Sequence, residues 1–174
     1  EGKYEKALYF LNKAREVSNS TRSDTGFSWL FSGDYRGNPL EYSYLHFYMV
    51  AAYELLADQG KTPAWSTDEI KDQKGNVLVQ AQNYPERNYS AREISELRQK
   101  ARAELLAWDT HLQNLRNLFP GKDYYKEDLM ARTVASFIHG ASSQNGERRT
   151  GELLTQDALK ILEKEFSRYP SHVN

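Results

Sequence analysis

The chain has 174 residues, 23 Lys and Arg against 24 Asp and Glu, a formal charge of −1 and no cysteine. That length suits a single domain with a real hydrophobic core, residues 1–174, and the evenly mixed charge provides no field for nucleic acid or an anionic membrane. Lacking cysteine, the chain has no disulfide, thiolate nucleophile or thiolate metal ligand.

The first predicted helix runs from Lys3 to Val17, with Tyr4, Ala7, Leu8, Leu11 and Ala14 on one stripe at the 3.6-residue period. Ser18-Asn19-Ser20-Thr21 should end it, because such side chains compete for backbone hydrogen bonds. The linker that follows carries Phe27, Trp29, Leu30, Phe31 and Tyr35. That is too much apolar surface for an open connection, so it is expected to fold over neighbouring helices or to line a recognition site. Asn38-Pro39-Leu40-Glu41 reads as a helix start, with a cap, a proline at the first helical position and a glutamate three residues after the cap. This second helix should reach Asp58 and stop at Gly60. Its apolar set, Leu40, Tyr44, Phe47, Tyr48, Ala51, Ala52, Leu55 and Leu56, is broad enough for a central helix, with Tyr44 and Tyr48 expected inward and Tyr42 more exposed.

The helical pattern vanishes from Lys61 to Tyr89, which reads as an insertion spanning residues 61–89. Within it Asp72-Gln73-Lys74-Gly75-Asn76 is a turn that would pair Val77-Leu78-Val79 with residues near Ile70 in a small β-hairpin. Ser90 and Glu93 form a capping box for a long helix whose seam is Ile94, Leu97, Ala101, Leu105, Trp108, Leu112, Leu115 and Phe119. Pro120-Gly121 ends it. A further helix is expected from about Tyr124 to Ala141, loosened at Gly140 and across residues 142–151. The last should run from Glu152 to Tyr169, with Leu153, Leu154, Ala158, Leu162 and Phe166 inward and Pro170 closing it.

Gly2-Lys3-Tyr4-Glu5-Lys6-Ala7-Leu8 resembles the second half of a tetratricopeptide repeat. Tyr35, Gly37, Glu41, His46, Tyr48, Ala51, Tyr53 and Gly60, followed by Ala101, Arg102 and Glu104, are similar to residues of bacterial tetratricopeptide-like proteins, often predicted envelope lipoproteins. The resemblance implies an all-α fold of degenerate helical hairpins in a right-handed superhelix, truncated before Glu1. It also implies a periplasmic or outer-membrane-associated location in a bacterium, with a lipid anchor upstream. Between Glu1 and Asn174 no stretch is apolar over the roughly 20 residues that a transmembrane helix needs.

The expected role is a non-catalytic scaffold or interaction module that binds a protein or peptide on a concave aromatic and charged face. Its candidate recognition residues are Trp29, Phe31, Tyr35, Tyr42, His46, Arg102 and Glu104. Twelve Tyr, three Trp and seven Phe supply the contact surface, and on an inner helix face Arg102 could clamp a partner carboxylate. No metal ligand set is read from His46, His111, His139 and His172, and no cofactor is expected. The alternative function is a periplasmic binder of small molecules or carbohydrate, with aromatic platforms near Trp29, Tyr35 and Trp65. An enzyme using His46 as a base ranks third.

Overall fold

The structure, a computed structural model, describes residues 3–22, 39–118 and 129–165. These residues are mostly α-helical, arranged as helical hairpins with small antiparallel β-hairpin pairings. The helices are α1 (Tyr4–Arg22), α2 (Pro39–Gln59), α3 (Ala91–Leu118), α4 (Leu129–Gly140) and α5 (Asn145–Glu165). Two compact units emerge, Glu1–Glu104 and Leu105–Asn174. Among the described residues no helix is long and apolar enough to cross a membrane.

In the first unit α1 packs on α2. Leu8 of α1 is buried with Ala52, Leu56 and Ala57 of α2 and Leu97 of α3, and Tyr4, Leu11, Tyr53, Tyr89 and Ile94 are half-buried against them. Ala7 and Ala14, by contrast, are exposed, so the leucines and not the alanines carry this helix contact. The α1 helix also continues through Ser18–Thr21 to Arg22, past its expected stop. Each of these polar residues lowers helix propensity by only a few tenths of a kcal/mol, and extending a nucleated helix adds one hydrogen bond per residue.

Helix α2 starts at Pro39 and ends at Gln59, close to the predicted limits; Asn38, its expected cap, lies outside the described residues. Gly60 adopts the left-handed conformation at φ 63° and donates its N–H to the Leu56 carbonyl at 3.0 Å, the geometry that closes a helix and favours glycine. The inward face of α2 is not the expected one. Ser43, His46, Met49, Val50, Ala52, Leu56 and Ala57 are buried, whereas Tyr44 and Tyr48 are 53% and 54% exposed and Tyr42 is half-buried. Apolar residues surround this helix on all sides, so their spacing could not select the face that packs.

The insertion contains β1 (Lys61–Thr62), β2 (Trp65–Thr67), β3 (Ile70–Lys71), β4 (Val77–Val79), β5 (Gln82–Tyr84) and β6 (Arg87–Asn88). They pair antiparallel in nested order, β1 with β6, β2 with β5 and β3 with β4. The expected pairing near Ile70 is present, with Ile70 opposite Val79, and it extends further down the insertion than the turn alone predicted. At the tip the Asp72 carboxylate accepts the N–H groups of Lys74 at 2.8 Å and Asn76 at 2.7 Å. Hydrogen bonds from Asn76 and Lys74, against a smaller effect of burial, hold that carboxyl below its ordinary range. Trp65 ties the insertion to α1. Its indole stacks on Tyr84 at 3.8 Å, meets the edge of Tyr9 at 5.6 Å and donates Nε1–H to Glu5 at 3.1 Å.

Helix α3 begins with the predicted capping box. Ser90 donates its N–H and its hydroxyl to Glu93, each at 2.8 Å, and the Glu93 N–H returns to the Ser90 hydroxyl at 3.3 Å. The seam also follows the prediction, since Leu97, Ala101, Leu105, Trp108 and Leu112 are all buried; Leu115 and Phe119 lie outside the described side chains.

In the second unit α4 and α5 form a close antiparallel hairpin. Helix α4 ends at Gly140, where loosening was expected, but α5 begins at Asn145, seven residues before its expected start, so Gly151 lies inside the helix at its crossing with α4. A Cβ on Gly151 would lie 2.6 Å from the Gly140 nitrogen and 3.0 Å from the Ser136 carbonyl oxygen. Only a residue without a side chain allows the two backbones so near. His139, in the last turn of α4, bonds Glu147 in the first turn of α5 at 2.5 Å, each side chain favoured there by its helix dipole when charged. Ala158 is buried, while Leu153 faces outward at 47% exposure, contrary to the expected stripe. Phe166, Tyr169 and Pro170 lie outside the described residues, as do Pro120, Gly121 and Tyr124.

Candidate functional site

Glu104 interrupts the apolar seam of α3. It is only 6% exposed, one turn from Ala101 and beside Leu105. A carboxylate removed from water must gain donors or lose its charge. Two helices supply them. From α2, His46, 5% exposed, sets Nδ1 2.6 Å from Glu104 Oε1. From α1, Arg15 Nη1 donates to both carboxylate oxygens, at 2.9 and 3.2 Å, while its Nη2 donates to Asn12 Oδ1 at 2.8 Å. Asn12 in turn donates to the Leu8 carbonyl at 2.8 Å, joining the network to the α1 backbone.

Burial by itself would raise the Glu104 carboxyl, but the hydrogen bond from His46 and the charge of Arg15 outweigh it and hold the group below its ordinary range. Glu104 is therefore ionised at neutral pH and can only accept, so the proton in the short contact sits on His46 Nδ1. The result is a charge-assisted bridge across α1, α2 and α3.

Of the residues singled out in the sequence, His46 and Glu104 come together in this bridge. Tyr42 adds the edge of its ring to the His46 ring, with centroids 5.7 Å apart. Arg102 is half-buried on α3. Trp29, Phe31 and Tyr35 lie outside the described residues. Arg15 is the partner that sequence reading missed. It falls one heptad after Leu8 on the α1 stripe, where an apolar residue would continue the pattern, and a long cation there signals a buried anion opposite.

The bridge lies on the face of α2 opposite its exposed residues. At about 100° per residue, Tyr44, Tyr48 and Leu55 lie on the side of the helix opposite His46. These three are 53%, 54% and 45% exposed, and Phe47 contacts Tyr48 with ring centroids 5.3 Å apart. A His–Glu pair could orient an imidazole for proton transfer, but a base must reach its substrate. With side chains 6% and 7% exposed, the pair is suited to holding helices together. Comparison with protein-family models, curated proteins and solved structures finds no match.

Proposed function

We propose that this chain is a non-catalytic interaction module that docks a protein or peptide on the outward stripe of α2 formed by Tyr44, Tyr48 and Leu55. One observation carries the reading: three large side chains stand about half exposed in a single line, on a helix whose opposite face is locked by the Arg15–Glu104–His46 bridge. The stripe spans about 16 Å, three helical turns. Tyrosines presented from a rigid element lose little conformational freedom on binding and are enriched where binding energy concentrates.

His46 and Glu104 act in this reading as positioning residues behind the stripe, and Tyr42 and Arg102 extend the aromatic and charged character of the same unit. The alternative, binding of a small molecule or carbohydrate, rests on aromatic platforms near Trp29, Tyr35 and Trp65 with the insertion over them, and of these only Trp65 lies among the described residues. Trp65 is 7% exposed with Tyr84 stacked on it, which favours the first reading. The tetratricopeptide-like superhelix and a setting in a bacterial envelope, periplasmic or outer-membrane-associated, have the sequence resemblance as their support.

The test is affinity capture with the wild type, with Tyr44→Ala/Tyr48→Ala and with Phe137→Ala, whose side chain is exposed in the other unit. All three should keep equal far-ultraviolet helicity. A partner held by the wild type and by Phe137→Ala should bind the double tyrosine variant at least about thirtyfold more weakly, the equivalent of one lost hot spot. Equal retention by all three proteins overturns the proposal.

A further inference from the structure

We draw no further inference here: the strongest candidate, the open apolar groove along the α4–α5 hairpin beside Phe137 and Leu159, is an unpartnered face, and nothing in the structure shows what covers it.

Discussion

Replacing Glu104 tests the bridge directly. Removing one member of a buried ion pair costs about 3–5 kcal/mol, because the remaining charge stays in a poor solvent. Arg15, the cation left behind, is 31% exposed and can regain water. Glu104→Ala should therefore lie at the low end, about 3 kcal/mol, and Glu104→Gln, which keeps the shape and one acceptor, near 2 kcal/mol. At about 2–4 °C per kcal/mol for a chain of this size, the alanine variant should melt about 6–12 °C below the wild type. Replacing all three bridge residues together, Arg15→Met/His46→Leu/Glu104→Leu, leaves no orphaned charge and should fall within about 1 kcal/mol of the wild type. Urea unfolding followed by far-ultraviolet circular dichroism measures each variant. The pH dependence has a definite sign. Because the folded carboxyl sits below its ordinary value of 4.5, its contribution is complete above that pH and disappears as the pH falls through the folded value. Wild-type stability should therefore drop more steeply than that of Glu104→Gln below about pH 4.5. A loss under about 1 kcal/mol for Glu104→Ala, or coupling under about 0.5 kcal/mol in a His46–Glu104 double-mutant cycle, would refute the reasoning.

Two further substitutions probe the packing. Gly151→Ala gains about 1 kcal/mol in helix propensity but drives a methyl into the Gly140 backbone, and such overpacking costs about 1–3 kcal/mol. The net effect should be destabilising by about 1 kcal/mol in thermal unfolding, and a rise in melting temperature would contradict the close crossing. Trp65→Ala removes the Tyr84 stack and the bond to Glu5, so cleavage by limited proteolysis should shift into residues 61–89. An unchanged digestion pattern would show that the insertion is held by other contacts.

Much of the helical framework was legible in the residues. On α3 the apolar residues recur at steps of three and four against a polar background, and the Ser90–Glu93 box marks the start, so both boundary and buried face could be read. Pro39 and Gly60 bracketed α2 for equally local reasons. The inward face of α2 was not legible, because Tyr44, Tyr48 and Leu55 are as apolar as Met49, Val50 and Leu56, and tertiary contacts made the choice. Gly151 was misread for a related reason. Alone, Gly151 weakens a helix, but against the α4 backbone at Gly140 and Ser136 it permits an approach that local propensity does not register. Two of the three bridge residues, His46 and Glu104, were singled out in the sequence, through the family resemblance and as recognition residues rather than as a buried pair. Their pairing across 58 positions, and the arrival of Arg15 from α1, depend on chain topology.

The most direct measurement of the central claim, that the bridge presses one face of α2 inward and leaves the opposite stripe to meet a partner, is site-specific photo-crosslinking. A crosslinking side chain is introduced at Tyr48 in one protein and at Leu106 in another, the latter 69% exposed but on α3. The account predicts a discrete crosslinked partner from Tyr48 and none from Leu106, with the Tyr48 product lost when Glu104→Ala releases α2. Equal products from both positions, or none from Tyr48 while the partner is still captured, would contradict it.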